Sequence, residues 1–338
     1  MRNHYPKKPD ILEQALKAFQ KTTGIVAKNE PSSNKIIFTN QDIKCHFTVE
    51  VKLTFNKYII AFEAGTKTAT NNALEPKILV TRFVTPQMAE QLKVLNMPFI
   101  DTAGNAYLNQ PQMFVYIKGC KLQQPLSKER VKRTFRATGL QVIFALLCQP
   151  GFENSPFRKI AQVANVALGS VDAVIQDLKD MDYLLVMGRR KRQLVQKPKL
   201  LERWVMAYPE QLRPKLLLGK YQATDDNWWQ PVNLSPFDAY WGGEVAAAKL
   251  TPYLKPLITT VYMKPPLGQF LLEHRLRKHS RGNVEMLDKF WQFEGLSQNR
   301  IVPPLLIYAD LIATGNARNI ETARIIYEKE IIRLIQPD

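Results

Sequence analysis

Glu50 and Lys52 are charged residues separated by one position in the segment FTVEVKL. The apolar residues alternate there, which predicts a β-strand, and side chains two positions apart lie on the same face of a sheet. A carboxylate beside an ammonium group could bind a divalent metal ion and stabilise the charge that develops when a phosphodiester is hydrolysed. Glu50 and Lys52 therefore form a candidate catalytic pair.

A second carboxylate is needed on the preceding antiparallel strand, opposite this pair. If the hairpin turns near residues 40 and 41, Glu50 lies opposite residues 31–33, which are Pro-Ser-Ser. Only Glu30 is near, and Asp42 lies at the wrong end of the hairpin. The ExK pattern and the order α-β-β-β-α-β are similar to PD-(D/E)xK nucleases. We expect a nuclease-like fold whose catalytic site is vestigial, and an active metal-dependent DNA nuclease is the alternative.

The charge of the chain is unevenly distributed. The formal net charge is +17, and residues 118–220 hold 20 Lys or Arg against 8 Asp or Glu. Most of the positive excess therefore lies in less than a third of the chain. A diffuse basic protein would not have this distribution, whereas a nucleic-acid-binding module would.

Three predicted helices precede a predicted β-hairpin in this basic region. The helices are LQVIFALLCQ, PFRKIAQVA and ALGSVDAVIQDLKDM, with Ser155-Pro156 capping the second and a tight turn at Asn165 before the third. The hairpin is LLVMGRRKRQLV, residues 184–195. This order predicts a winged helix-turn-helix that binds double-stranded DNA. A winged helix used only for protein contacts is the alternative.

Gln176 of the third helix could read a base edge, and Ser170 could bind a phosphate. We expect Asp172, Ala173 and Asp177 on the same exposed face, and the two carboxylates favour docking by the N-terminal end. The four adjacent cations of the hairpin tip repel one another, so they do not stabilise a turn and are expected to contact DNA. A turn whose charges are simply solvated is the alternative. The predicted DNA-binding residues are Ser170, Gln176, Lys179, Arg158, Lys132, Arg133, Arg189, Arg190, Lys191 and Arg192.

The four cations of the hairpin tip, residues 189–192, could enter the minor groove or only contact phosphates, and the sequence leaves both alternatives open. Each phosphate contact adds close to one unit to the salt dependence of binding. Replacing Arg189, Arg190 and Arg192 by alanine is therefore expected to lower the slope by about 2 to 3 units. The cations of the preceding connector could extend the footprint, with an ordinary exposed helix as the alternative.

Several segments resemble AbiEi-type antitoxins, the regulators of type IV toxin–antitoxin (abortive infection) systems of phage defence. They are a strand followed by a Thr-Pro helix, a strand ending in Asp101, the string Gly104-Asn105-Ala106-Tyr107-Leu108, WGGEVAAAKLTPYLKP and PPLLIYADLIATGNARNIETARIIYE. The resemblance implies a transcriptional regulator that represses its own operon at an inverted repeat. It also implies antagonism of a nucleotidyltransferase-like toxin, direct or indirect. Better-known antitoxins of this type have an N-terminal winged helix, whereas here it is central.

Asp101, Asn105 and Glu244 are the remaining candidate site residues. Asp and Asn side chains close turns on their own backbone, and Glu244 follows Trp241-Gly242-Gly243 at a predicted helix start. Turn chemistry is one interpretation of Asp101 and Asn105, and a ligand or partner site is the other.

The sequence as a whole predicts an α+β multidomain protein. We expect a nuclease-like α/β domain over 1–122, a winged helix-turn-helix with a basic connector over 123–200, and an α-rich interaction domain over 201–338. The three cysteines and four histidines lack zinc-site spacing, so we predict no metal site and no cofactor. The apolar stretches are too short to cross a membrane, and the N-terminus lacks the apolar core of a secretory signal. A cytoplasmic protein without a membrane partner is expected.

Overall fold

The computed structural model describes residues 8–52, 76–122, 133–187, 191–293 and 300–335. The chain forms two compact units, Met1–Glu129 and Arg130–Asp338. It is mixed α+β, as the sequence predicts. The finer division at residue 200 stays a prediction, because the helices and the C-terminal sheet lie in the same unit. Within the described segments, no helix is long and apolar enough to span a membrane.

A seven-stranded sheet organises the N-terminal unit, with strands ordered β1 to β7 along the chain. Strands β3, β4 and β5 are mutually parallel, and the other neighbours are antiparallel. The elements are α1 Lys8–Thr23, β1 Val26–Glu30, β2 Lys35–Asn40, β3 Ile43–Lys52, β4 Lys77–Thr81, α2 Pro86–Val94, β5 Phe99–Asp101, β6 Ala106–Gln110 and β7 Met113–Ile117.

The two helices that the structure describes in residues 8–52 and 76–122 belong to two separate apolar cores. The apolar face of α1 packs on the sheet, where Phe19 meets Phe38 edge-on at a centroid distance of 4.9 Å. Helix α2 covers a smaller cluster with Leu79 and Phe99. Thr85 caps α2 as predicted, its hydroxyl oxygen accepting a hydrogen bond from the amide of Met88.

The segment Ala106–Gln110 differs from the sequence prediction. The segment DTAGNAYL favours a turn over residues 101–108, but residues 106–108 belong to β6, which pairs with both β5 and β7. The first three residues of β6 are buried, because they add apolar side chains to both cores. The turn itself is confined to residues 102–105.

Three helices and a hairpin open the C-terminal unit in the predicted order. Asn165 ends the second helix in a left-handed backbone conformation, and Gly151 adopts the same conformation just before the 3-10 turn that follows the first helix. The elements are a 3-10 turn Arg133–Phe135, α3 Ala137–Cys148, a 3-10 turn Phe152–Asn154, α4 Phe157–Ala164, α5 Leu168–Asp180, β8 Leu184–Met187 and β9 Lys191–Leu194.

The rest of this unit contains helices and, in addition, a five-stranded sheet that the sequence did not predict. The sheet order is β11-β12-β14-β10-β13, with β12 and β14 parallel. All of β12 and most of β14 is buried, so their sequences lack the alternation that identifies strands. The elements are α6 Lys197–Ala207, a π-helical turn Tyr208–Leu212, α7 Arg213–Leu216, β10 Leu217–Gln222, a 3-10 turn Ser235–Phe237, β11 Tyr240–Gly242, α8 Gly243–Leu250, β12 Thr259–Met263, α9 Gly268–Glu273, β13 Arg277–Lys278, β14 Val284–Asp288, α10 Pro304–Thr314, α11 Ala317–Ile326, a π-helical turn Tyr327–Ile331 and α12 Ile332–Ile335.

Phe144 of α3 joins the three helices to the rest of the C-terminal unit. Its ring stacks on Trp204 at 5.5 Å and contacts Phe290 at 5.0 Å and Trp291 at 6.0 Å. The amide of Gln292 then donates a hydrogen bond to the carbonyl of Val163, 2.8 Å away. The chain after β14 therefore packs directly against α3 and α4.

Candidate nucleic-acid interface

Helix α5 has one buried face and one exposed face. Its buried residues are spaced at helical intervals and pack towards α3 and α4. Leu168, Gly169, Asp172 and Gln176 are exposed, whereas Ser170 and Lys179 are half-buried. The Gln176 amide donates a hydrogen bond to the Asp180 carboxylate over 3.0 Å. Apart from Asp172, the exposed surface of the first turns carries no charge.

Asp177 does not lie on the exposed face, contrary to the sequence prediction. Its carboxylate accepts a hydrogen bond from the hydroxyl group of Thr134, which is fully buried. Asp177 therefore fixes the turn before α3 to α5 and does not face a ligand. Arg133, the neighbour of Thr134, is exposed, and so is Arg158 on α4.

The hairpin of β8 and β9 has two different faces. Leu184 pairs with Leu194, and both are buried against the helices. Because side chains alternate, Val186 and Arg192 lie on this inner face, but farther from the helices Val186 is 51% exposed and Arg192 is half-buried. Leu185, Met187, Lys191 and Gln193 form the opposite face, which we call the outer face. Leu185 and Met187 are each 48% exposed, and Lys191 is also exposed.

Arg192 is fixed to the helical body. Its guanidinium donates a hydrogen bond to the carbonyl of Ser155 over 2.8 Å and lies 4.7 Å from the centre of the Phe157 ring. Its amide donates to the side-chain oxygen of Asn154 over 2.8 Å. Burial lowers the pKa of Arg192, and the charge of Glu153 opposes this shift.

Glu153 completes the attachment of the hairpin. One of its carboxylate oxygens accepts a hydrogen bond from the amide of Leu194 over 3.1 Å, and the side chain is buried. The cations predicted at the hairpin tip are therefore not equivalent, since Lys191 is exposed and Arg192 is held. Arg189, Arg190 and Lys132 lie outside the described residues.

The ExK pair of the N-terminal unit has the register that the sequence predicted. The amide of Val49 donates to the carbonyl of Asn34, which places Glu50 level with Ser33 and not with an acid. The carboxylate of Glu50 lies 3.5 Å from the ammonium of Lys52. Glu30 accepts a hydrogen bond from Ser33. Among the described residues, no three His, Cys, Asp or Glu side chains are grouped so that they could hold a metal ion.

Asp101 and Asn105 are fully buried at the end of β5. The Asp101 carboxylate accepts hydrogen bonds from the amides of Val84, Ala103 and Asn105 and from the Asn105 side chain, at 2.7–2.9 Å. The Asn105 side chain also pairs with the backbone of Cys120. Burial raises the pKa of Asp101, and these hydrogen bonds oppose the shift. The geometry agrees with the turn interpretation of both residues.

A comparison with protein-family models matched a segment of the C-terminal unit. Residues 193–332 match the model of the AbiEi antitoxin family. The family is described as a transcriptional regulator, the AbiEi antitoxin of type IV toxin–antitoxin systems. The resemblance predicted from the sequence is confirmed for these residues, which we call the AbiEi region. Comparisons with curated proteins and with solved structures found no match.

Glu244 ties three segments of the AbiEi region together. One of its carboxylate oxygens accepts a hydrogen bond from the amide of Leu257 over 2.6 Å. The other accepts from the side chain of Asn319 at the start of α11 over 2.8 Å, and Arg318 lies 3.4 Å from the first oxygen. The WGGE and GNAR motifs are therefore joined by one buried carboxylate.

A buried polar network in the AbiEi region was missed by the sequence analysis. Asp310 accepts hydrogen bonds from the hydroxyls of Tyr208 and Tyr262 at 2.8 and 3.1 Å and from Arg213 at 3.1 Å. Arg213 also donates to Glu285 at 2.6 Å. The sequence signal was an acid within the apolar helix PLLIYADLIAT, since a buried carboxylate requires partners.

Electrostatic interactions across this network are strong. Burial raises the pKa of Asp310, although the neighbouring Arg213 opposes the shift. The pKa of Arg213 is raised, because the nearby carboxylates and tyrosines outweigh burial, which alone would lower it. Gly242 lies against this site, and a Cβ atom there would come within 2.5 Å of the Tyr262 ring. The network links π-helical turn, sheet and α10, so we interpret it as structural.

Proposed function

We propose that this protein is a cytoplasmic DNA-binding transcriptional regulator and the antitoxin of a type IV toxin–antitoxin system. It binds an inverted repeat in its own promoter and represses the operon. It also counteracts a nucleotidyltransferase-like toxin, by direct contact or indirectly. The AbiEi match supports the regulator and antitoxin roles.

The observation that carries the proposal is the position at which the match begins. Gln193 lies in β9, so the AbiEi region is continuous with the hairpin, and the hairpin is attached to the helices before it. The three helices and the hairpin then act as a winged helix-turn-helix. The first turns of α5 enter the major groove, and the hairpin lies beside it as the wing.

DNA binding is tested with the purified full chain and the DNA upstream of its own coding region. Fluorescence anisotropy over a series of salt concentrations gives both the affinity and the salt slope. We expect the chain to bind the upstream DNA at least about a thousandfold more tightly than a scrambled duplex. This ratio is the lower end of the range that is usual for specific regulators. Equal affinity for both duplexes would rule out the regulator role.

Lys191 and Lys329 provide matched variants for this measurement. Both are exposed, but Lys329 lies at the opposite end of the sequence of the C-terminal unit. Lys191→Ala is expected to lower the salt slope by about 0.9, because one phosphate contact is lost. Lys329→Ala is expected to leave the slope unchanged.

The antitoxin role is tested first by whether the neighbouring gene encodes a nucleotidyltransferase, and then by expressing that protein together with the chain. Growth should be restored by the wild-type protein and also by Lys191→Ala, which weakens only DNA binding. Persistent growth arrest with a well-folded antitoxin would refute this part of the proposal. Co-purification of the two proteins separates direct contact from indirect antagonism.

A further inference from the structure

The two outer strands of the seven-stranded sheet differ in their charge. Strand β1 (VAKNE) lies at one edge and exposes Lys28 and Glu30, whereas β7 (MFVYI) lies at the other edge and contains no charged residue. The unpaired N–H and C=O groups of an edge strand attract further strands, and charged side chains there normally prevent this. Strand β7 lacks that protection, so its free side is suited to pairing with another strand.

The backbone of β7 presents hydrogen-bonding groups to this free side. The turn between β6 and β7 consists of residues 111–112, so Gln110 and Met113 form a hydrogen-bonded pair. Because such pairs alternate along an antiparallel ladder, the N–H and C=O groups of Phe114 and Tyr116 point away from β6. Within the ranges that the structure describes, no strand pairs with β7 on that side, and no backbone group outside the sheet bonds to either residue. Both residues can therefore bond to a partner strand.

The side chains beside these groups are aromatic and partly exposed. Phe114 is 64% exposed, and its ring meets the buried Tyr107 edge-on at a centroid distance of 6.3 Å. Tyr116 is half-buried, and the ammonium group of Lys93 lies 4.4 Å from the centre of its ring. Helix α2 packs on β6 and leaves Phe114 uncovered. An aromatic ring on an uncharged edge strand adds apolar contact area to a strand that pairs there.

A second copy of the chain fits this edge. In an antiparallel pair of two β7 strands centred on Val115, Phe114 lies opposite Tyr116 of the second copy, and the free backbone groups of both residues face each other. Aromatic pairs in this position stabilise a sheet. Lys118 then lies opposite Gln112 of the second copy, so no like charges meet.

Pairing through β1 is disfavoured by its charges. Two β1 strands paired about their centre would place Lys28 opposite Lys28 of the second copy, and like charges directly opposite each other destabilise a sheet. Pairing of β7 with β1 of another copy would be heterologous, and its repetition would extend into a filament instead of closing. The β7–β7 arrangement closes after two copies and avoids like charges.

We propose that the free edge of β7 is a homodimer interface, in which the β7 strands of two copies pair in antiparallel orientation about a two-fold axis at Val115. The two seven-stranded sheets then join into one continuous sheet. The dimer forms without DNA, so the inference goes beyond the proposed function and does not depend on it. A two-fold dimer also has the symmetry of an inverted repeat, which is the operator that the proposed function requires.

Sedimentation velocity of the full chain without DNA tests the dimer. Over about 1 to 100 μM the mass should rise from one chain to two, because an interface built on one short strand is expected to have modest affinity. Phe114→Lys should raise the dissociation constant at least about tenfold, because a lysine on an edge strand opposes pairing and the two-fold axis repeats the substitution. Val26→Lys is the matched control on the edge of β1, where Val26 is 43% exposed, and it should leave the constant unchanged.

Disulfide cross-linking tests the register. Val115 of the two copies forms a non-hydrogen-bonded pair with Cα atoms about 4.5 Å apart, a separation that a disulfide spans. Mild oxidation should therefore link the Val115→Cys protein into a covalent dimer. The wild-type protein, with its three cysteines, and Val26→Cys are the controls and should remain unlinked. This gain of signal does not depend on the folding of Phe114→Lys.

Several results would overturn the inference. They are a monomer at every concentration, a dimer that survives Phe114→Lys unchanged, and larger species that Val26→Lys abolishes, which would indicate β7–β1 pairing. Dimerisation without cross-linking of Val115→Cys would also place the interface elsewhere. A dimer that fails to bind the upstream DNA would instead contradict the proposed function and leave the inference intact.

Discussion

Arg192 and Lys191 are adjacent cations whose replacement should affect stability and the salt dependence of DNA binding differently. Arg192→Ala removes the hydrogen bond to Ser155 and the contact with the Phe157 ring. The charged hydrogen bond contributes about 1.5–3 kcal/mol and the ring contact about 0.5–1 kcal/mol, so a loss of about 1–3 kcal/mol is expected after partial hydration of the site. Because the Arg192 charge faces the protein body, the salt slope should not change.

Lys191→Ala is the matched comparison. Lys191 is exposed on the outer face, so its removal should leave stability within about 0.5 kcal/mol and lower the slope by about 0.9. Because Arg192 should contribute nothing to the salt slope, replacing Arg189, Arg190 and Arg192 together should lower the slope by less than the sequence alone predicts.

Hydrogen exchange and anisotropy together measure both effects. Arg192→Ala should speed amide exchange in β8 and β9, because their local opening becomes easier, and should weaken DNA binding equally at every salt concentration. Lys191→Ala should leave exchange unchanged. A drop in the salt slope for Arg192→Ala, as large as that for Lys191→Ala, would refute the assignment of Arg192 as an anchor.

Three further predictions concern the AbiEi region. Glu244→Ala should cost about 2–4 kcal/mol of unfolding free energy, measured by urea denaturation, because several buried donors lose their acceptor. Gly242→Ala should destabilise by about 1–3 kcal/mol through overpacking against the Tyr262 ring, whereas Gly268→Ala, with open space around it, should be neutral; equal effects would contradict this. Burial among aromatic rings lowers the pKa of His274, so the unfolded state takes up a proton first and stability should fall as the pH drops through 6.5; His274→Phe should flatten this melting profile.

Local signals in the sequence predicted much of the N-terminal unit and of the candidate interface. Alternation and helix caps give the order of the strands and helices and the predicted register of Glu50. The three helices and the hairpin follow from their spacing and breaks. These features depend on residues close together in the chain, which is why one sequence is enough to identify them.

Other features depend on contacts between distant segments. Arg192 and Lys191 are both cations in one basic run of the sequence, and it is the contacts of Arg192 with Asn154, Ser155 and Phe157 that distinguish them. The sequence prediction placed Asp177 on the wrong face because its hydrogen-bond donor, Thr134, lies 43 positions earlier in the chain. No local sequence pattern indicates such a contact. The five-stranded sheet was missed because its central strands are buried on both faces and short. The sequence shows which residues are charged, and tertiary contacts decide which of these charged side chains remain accessible to solvent.

The packing of Phe144 limits which segments of this chain can be exchanged with those of a relative during evolution. Phe144 belongs to the proposed DNA-binding helices, whereas Trp204, Phe290 and Trp291 belong to the AbiEi region, and all four rings are buried. Each ring buries roughly 150–250 Å² of surface, so a crossover near residue 200 would join halves whose aromatic surfaces do not match. The proposed DNA-binding helices and the AbiEi region are thus expected to be inherited as one block, and under the proposed function new operator preferences would arise by substitution on α5 and the hairpin.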